Sequence, residues 1–252
     1  MAVDYRVVCG DEGTVSSRVR MARRYHVSPL PDGGRASLPT DVAHHLVRVM
    51  RVRVGDDVVL FDGAGRECVA TIHEIAGTGR NVSVTADVSE SRASTREPTV
   101  RVEVVFAPPK GNRAEWLFEH GTEVGITAYH PVSTARAVGG DRRERWQRIA
   151  TAATGQCDRA RIPTVHATRP LEALLADETL PAERYVADES GPPIRAAESD
   201  HVILLVGPEG GLTDNEIALA ESRGFERRNL GVTTLRAEMA VVAGAVLLLQ
   251  RR

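Results

Sequence analysis

The chain has 252 residues, 42% of them hydrophobic and 26% charged, with a formal net charge of −2 at neutral pH. That is the profile of a soluble globular protein with room for one large domain or two modest ones. The slightly negative charge excludes indiscriminate nucleic-acid binding while allowing a local basic face. The longest apolar run, Met239 to Leu249, is too short to span a bilayer. No apolar stretch follows a basic start, so no secretory signal is expected and the chain is placed in the cytoplasm. Cys9, Cys68 and Cys157 are scattered and odd in number, without CxxC or Cys/His ligand spacing, so neither a disulfide frame nor a metal site is expected. Lys110 is the only lysine, every other cation being arginine. Codon bias accounts for that, and the same bias makes the surviving lysine a position to watch.

In chain order, residues 1–21 are irregular and read as an extension or an upstream start. Short strand-like runs then occupy Asp57–Phe61, Glu67–Ile72 and Asn81–Thr85, broken by turn residues. One helix interrupts them, with Thr40 as N-cap and Val42, Leu46 and Val49 on one face. This is a small β-barrel pattern over residues 22–88. The pair His44-His45 sits in that helix; one buried and one exposed histidine is the expectation, rather than a metal site. Residues 89–98 are polar and read as a linker. From residue 99 to 252 strands and helices alternate: a strand at Arg101–Phe106, a helix near Arg113–Val124, helices at Glu144–Gln156 and Leu171–Asp177, and a buried strand at His201–Val206. Thr213 with Glu216 forms a capping-box pattern for the next helix. A short strand ends at Asn229-Leu230-Gly231, and a long apolar helix covers Glu238–Gln250. The fold class is α/β, a mostly parallel sheet with helices on both faces.

The sharpest local feature is Val206-Gly207-Pro208-Glu209-Gly210-Gly211-Leu212-Thr213, between a buried strand and a capped helix. Ligands of open α/β sheets bind beyond the carboxyl ends of the strands. Glycines let the backbone approach a ligand, and Pro208 stiffens the turn. The loop lacks both the P-loop GK[ST] and the dinucleotide GxGxxG pattern. A tight strand-to-helix turn is the plainer explanation. A second loop, Leu230-Gly231-Val232-Thr233-Thr234-Leu235-Arg236-Ala237-Glu238, leads into the C-terminal helix, and two such turns from one sheet edge could clasp a planar ligand such as adenine. The helix dipole explains Glu238 without any function, whereas Arg236 works against that dipole.

With these two motifs the chain resembles the RsmE family, S-adenosylmethionine-dependent enzymes that methylate N3 of a uridine in small-subunit (16S) ribosomal RNA. The likeness extends through Arg24-Tyr25, His44 to Val52, Phe61 to Gly65, Pro109 to Trp116, Thr122 to Gly125 and Arg145 to Ala150. The resemblance implies an N-terminal PUA-like β-barrel, then a SPOUT domain whose C-terminal segment threads a trefoil knot. It also implies a homodimer, and S-adenosylmethionine held by Val206, Gly207, Pro208, Glu209, Gly210, Gly211, Leu230, Gly231, Leu235, Arg236 and Ala240. Chemically, uracil N3 must lose a hydrogen and the anionic ring needs a cation nearby. Arg236 is the candidate cation, and Glu209 or Glu238 could position it or accept the proton. The target base must be unpaired or extruded. Arg23, Arg24, Arg48, Arg51, Arg53, Lys110 and Arg113 are the candidate RNA contacts, although any one of them alone reads as a solvated surface charge.

Four motifs depart from the family pattern. His120 or Gly121 replaces a lysine, Gly155-Gln156 replaces Glu-Gln with Cys157-Asp158 before Arg159, Ser133-Thr134-Ala135-Arg136 alters an acidic-Arg motif, and Met239 replaces a hydroxyl residue after Glu238. The substrate surfaces, unlike the cofactor loops, are therefore altered. The readings are a ribosomal RNA uridine-N3 methyltransferase, a paralogue acting on another RNA or a small molecule, and a non-catalytic RNA-binding module.

Overall fold

The computed structural model describes residues 23–137 and 140–250, apart from the side chain of residue 80. The expectation for residues 1–21 lies outside the described residues. The described residues divide into two compact units, one made of residues 23–25, Pro31–Leu60 and Cys68–Glu90, the other of His26–Leu30, Phe61–Glu67 and the described residues from Ser91 on.

The N-terminal strands are β1 (Arg24–His26), β2 (Gly34–Ser37), β3 (Asp57–Phe61), β4 (Arg66–Ala76), β5 (Ser83–Val88) and β6 (Arg92–Ala93). They form a sheet in the order β1-β3-β4-β5-β2, with β6 on β4. In β5, Val84, Ala86 and Val88 are buried while Ser83 and Asp87 are exposed, the period-2 alternation of a strand with one dry face. A register shift between Ile72 and Glu74 lets the long β4 bend along its antiparallel partner β5.

The expected single helix is two pieces, α1 (Thr40–His44) and a π-helical turn at His45–Val49. Its N-cap is Pro39, not Thr40, and no side chain caps it. Val42 and Leu46 are buried as expected, but Val49 is 64% exposed. The wider π turn rotates the later residues away from the stripe that a 3.6-residue period would build. His44 is half-buried, and His45 is exposed with its ring edge on Tyr25 at 5.6 Å between centroids.

The second sheet comprises β7 (Arg101–Phe106), β8 (Ala128–Ser133), β9 (Thr164–Val165), β10 (Arg169–Pro170), β11 (Glu183–Ala187), β12 (His201–Val206) and β13 (Glu226–Arg228). Its order is β10-β8-β7-β12-β11-β13, with β9 on β8, and every pairing is parallel. The helices are α2 (Asn112–Val124), α3 (Arg143–Gln156), α4 (Leu171–Leu175), α5 (Asp214–Ser222) and α6 (Ala237–Leu249). Residues 176–177 turn rather than extend α4, and the last short strand stops at Arg228, before the expected Asn229-Leu230-Gly231.

The apolar run of β12 is explained by its two dry faces. Val202, Leu204 and Val206 pack with α2, α3 and α6, and Ile203 and Leu205 pack with α4 and α5. Each such side chain contributes roughly 1.5–3 kcal/mol on burial. Strand β8 escaped the sequence reading because Tyr129, His130 and Pro131 break any apolar run. It is nonetheless buried, with Tyr129 in one layer and Val132 in the other. The stretch 89–98, read as a linker, carries β6 and places Glu97 against buried Arg159 at 3.1 Å. Glu97 also accepts the backbone N–H groups of Ala160 and Arg161.

Candidate active site

Strands β8, β7 and β12 run parallel with Pro131, Phe106 and Val206 in register, so the loops that follow them leave from one edge of the sheet. Their distal side chains meet there. Arg113, in the first turn of α2, pairs with Glu209 at 2.8 Å. Arg136, beyond β8, donates to the carbonyl oxygen of Gly210. Glu216 closes the expected capping box with Thr213, and its second oxygen accepts the backbone N–H of Ala135 at 2.8 Å. Burial pushes the Glu216 carboxyl up, but the backbone and hydroxyl donors, with Arg136 nearby, outweigh it and hold it below the ordinary range.

The glycines of this loop answer to two requirements. Gly211 has φ +73°, a left-handed conformation that side chains disfavour, and its N–H closes a turn on Pro208 at 2.8 Å. A Cβ on Gly207 would come within 3.1 Å of Leu212, so the turn folds back too tightly for a side chain. Val206 and Pro208 are buried, while Glu209 and Gly210 are exposed. Among described residues, the N–H groups of Glu209 and Gly210 have no acceptor.

The second loop follows β13. Leu230 and Leu235 are half-buried against the layer that holds Val206 and Ala240, so the apolar members of both loops meet in one cluster. Gly231 is exposed, and its N–H is held by the Asn229 side chain at 2.7 Å. Arg236 is the exposed N-cap of α6; its carbonyl accepts the Ala240 N–H at 2.8 Å, and its guanidinium has no ion-pair or hydrogen-bond partner among the described residues. Glu238 is 6% exposed, and its Oε2 is buried without a described partner.

These positions correct one expectation. Neither glutamate holds Arg236: Glu209 is engaged by Arg113, and Glu238 turns into the protein while Arg236 faces out. Met239 is 41% exposed on the first turn of α6.

The basic candidates fall in both units. In the first, Arg48, Arg51 and Arg53 are exposed along one short segment, interleaved with exposed Val49 and Val54. Arg51 takes φ +53°, an uncommon backbone for a long side chain. Arg23 is exposed, and Arg24 is half-buried in β1. In the second, Lys110 is exposed and Arg113 sits at the cofactor-type loop. Arg136 and Glu216 were not singled out as site residues. The capping pattern marked Glu216, and the altered Ser133–Arg136 motif was the signal for Arg136.

A different cluster lies deeper in β7. Glu103 accepts from His130 Nε2 at 2.6 Å and from His201 Nε2 at 2.7 Å. His130 stacks on His166 at 4.2 Å, and a cleft of about 410 Å³ opens there, lined by Glu103, His130, His166, Arg169 and Asp177 among others. This cleft is remote in sequence from both glycine loops, and its charged side chains are already paired with one another.

Residues 95–249 match the family model of an RNA methyltransferase domain, and residues 38–80 that of an RNA methyltransferase PUA domain. The ribosomal RNA small subunit methyltransferase E of Synechocystis sp. is 35% identical over 238 residues, covering 89% of this chain and 76% of that protein. Its counterpart from Mycobacterium bovis is 33% identical over 252 residues, covering 92% and 94%. A solved ribosomal RNA small subunit methyltransferase E from Neisseria gonorrhoeae, bound to S-adenosyl methionine, matches with a TM-score of 0.80 at 26% identity, over 89% of this chain and 95% of that one.

Proposed function

This chain belongs to the RsmE family of RNA methyltransferases, and from that premise we propose that it methylates N3 of a uridine in 16S ribosomal RNA with S-adenosylmethionine. The observation that carries the reading is the pair of loops at the carboxyl edge of the parallel sheet, with the Arg236 guanidinium unpartnered among the described residues beside them. The residues fit the cofactor. An apolar layer of Val206, Leu230, Leu235 and Ala240 suits an adenine ring, the free N–H groups of Glu209 and Gly210 suit polar edges, and Glu238 offers a buried oxygen with no described partner. Gly207, Pro208, Gly211 and Gly231 shape the two loops around that space.

When bound, S-adenosylmethionine supplies an electrophilic methyl group. The residues of the chain supply alignment and charge. Arg236 faces the solvent side of the loops and stabilises the negative charge that spreads over the uracil oxygens as N3 loses its hydrogen. Glu238, rather than the Arg113-bound Glu209, is assigned the N3 proton. Arg23, Arg24, Arg48, Arg51, Arg53, Lys110 and Arg113 hold phosphates, which position the RNA without specifying its sequence.

The enzyme acts as a homodimer in this proposal, because α6 is apolar on nearly every face and leaves Met239 and fully exposed Val232 for a second copy to cover. The return of α6 from the edge strand β13 to pack on central β7 and β12 supports a knotted C-terminal segment. Among the described residues no helix is long and apolar enough to cross a membrane, and the site of action proposed is the cytoplasm, with its ribosomes.

The test is methyl transfer from labelled cofactor to small ribosomal subunits that lack their native uridine-N3 methylation, read by nucleoside mass spectrometry. 3-Methyluridine is the expected product. Transfer to a small heteroaromatic molecule, with none to subunits or free RNA, would overturn the proposal.

A further inference from the structure

Helix α2 carries a feature that the cofactor site does not use. Trp116 and His120, one turn apart, stack ring on ring at 4.3 Å between centroids and 19° between planes. Both are partly exposed. His120 Nδ1 lies 3.0 Å from the Trp116 carbonyl oxygen. A carbonyl can only accept, so Nδ1 carries the proton and the imidazole is held in one orientation over the indole. The pair is therefore a rigid aromatic ledge whose side-chain entropy is lost on folding, before any ligand arrives.

Its neighbours give the ledge a polarity. Arg113 lies three residues before Trp116 on the same helical stripe and reaches the cofactor loop through Glu209. Lys110, exposed, precedes it. Exposed Glu119 and Glu123 lie further along the helix, on the neighbouring stripe. A phosphate is thus favoured at the cofactor-loop end and repelled at the other, and a planar uncharged ring is favoured between them. Unpaired nucleotides have those two parts in that arrangement, and base–aromatic stacking tolerates any sequence.

We propose that the Trp116–His120 stack is the docking ledge for an unpaired nucleobase beside the target uridine, with Lys110 taking the adjoining phosphate. The ledge sets which end of the RNA enters the site, and it rests on the RNA-methylating role proposed above. It also gives His120, one of the two residues with Gly121 that stand where the family resemblance expects lysine, a recognition role of its own.

The experiment is a double-mutant cycle on methyl transfer. Wild type and Trp116→Ala are each assayed on an RNA fragment spanning the target, and on the same fragment made abasic at the nucleotide 5′ or 3′ of the uridine. Trp116→Ala is expected to raise the RNA KM roughly tenfold on intact RNA, to leave cofactor affinity unchanged, and to cost nothing further on one of the two abasic fragments. Trp116→Phe should recover most of the loss. Intrinsic fluorescence gives a second readout, since the other tryptophan, Trp146, is 2% exposed and provides a constant background. RNA binding should quench the Trp116 signal in His120→Ala as well as in wild type, but more weakly.

An unchanged RNA KM in Trp116→Ala would overturn the proposal, and so would an equal penalty on all fragments. Dissociation of a dimer in sedimentation, with RNA binding lost only as a consequence, would instead make the ledge a contact between copies. If wild type itself transfers no methyl group to RNA, the enzymatic proposal fails first, and the fluorescence titration still decides whether the ledge binds unpaired nucleotides.

Discussion

Two regions of the same parallel sheet treat their charges in opposite ways. At the carboxyl edge, the Arg236 guanidinium is exposed with no described partner, Glu238 keeps a buried oxygen unused, and the glycine loop presents backbone donors that no described residue accepts. Around Glu103 of β7, both carboxylate oxygens are spent on His130 and His201, and nearby Asp177 binds Arg169 and Thr179. The second region has a cleft of about 410 Å³, yet the carboxylates that line it, Glu103 and Asp177, are both paired. An unpaired charge beside open backbone donors, rather than a cleft of paired carboxylates, marks the place where a ligand belongs, because a polar group without a partner costs free energy that a ligand can relieve.

The largest expected break in that contrast is at Arg236. Arg236→Ala should lower methyl transfer at saturating cofactor by roughly 10²–10³-fold, with a much smaller change in cofactor affinity. Arg236→Lys should recover part of the rate. Steady-state kinetics with 3-methyluridine detection checks this, and a wild-type turnover in Arg236→Ala would remove the cationic role.

Glu216 joins both regions' logic, since it caps a helix and pins the β8 loop beneath the glycine loop. Glu216→Ala loses the cap and strands the Ala135 N–H, at a cost of about 1–2 kcal/mol in denaturant unfolding. A higher KM for cofactor should accompany it. Unaltered stability would mean that Thr213 alone suffices as the cap.

Arg136→Ala is the milder loop variant. It removes an exposed charged donor to Gly210, and cofactor KM should rise roughly fivefold with the melting temperature held. A fall in stability with no change in KM would make Arg136 a structural prop rather than a positioning residue.

In the quiet region, the effect is confined to acid. Burial pushes the Glu103 carboxyl up, but the hydrogen bonds and charges of His130 and His201 outweigh it, leaving a value of about 2. A carboxyl with a folded value below its unfolded one stabilises the protein above the unfolded value, and that stabilisation fades as pH falls from about 4.5 toward 2. Glu103→Gln should therefore flatten the acid limb of the stability curve between those limits and leave methyl transfer at neutral pH unchanged. A collapse of activity in Glu103→Gln would show that the two regions are coupled.

Local chemistry was legible where a few neighbouring residues carry it. The Thr213–Glu216 capping box and the turn at Gly211 depend on contacts within a few positions, the apolar run of β12 announces its two dry faces, and the structure has all three. Helix α1 was misjudged at its end because a π turn changes the period, and nothing in His45–Val49 announces that change. Strand β8 was missed because a parallel strand buried on both sides can tolerate His130 when Glu103 hydrogen-bonds it from the neighbouring strand.

By itself the sequence determined the alternation of strands and helices, the two glycine loops with Arg236 at the head of the last helix, and the family that these imply. Only the tertiary structure decided which charges are spent. Arg113 reaches Glu209, Arg136 reaches Gly210, and Glu103 collects His130 and His201 across neighbouring strands. Those pairings join residues from distant parts of the chain, and they exist because sheet register sets side chains a few ångströms apart whatever their separation in sequence. The role left to Arg236 follows from that register as much as from the residue itself.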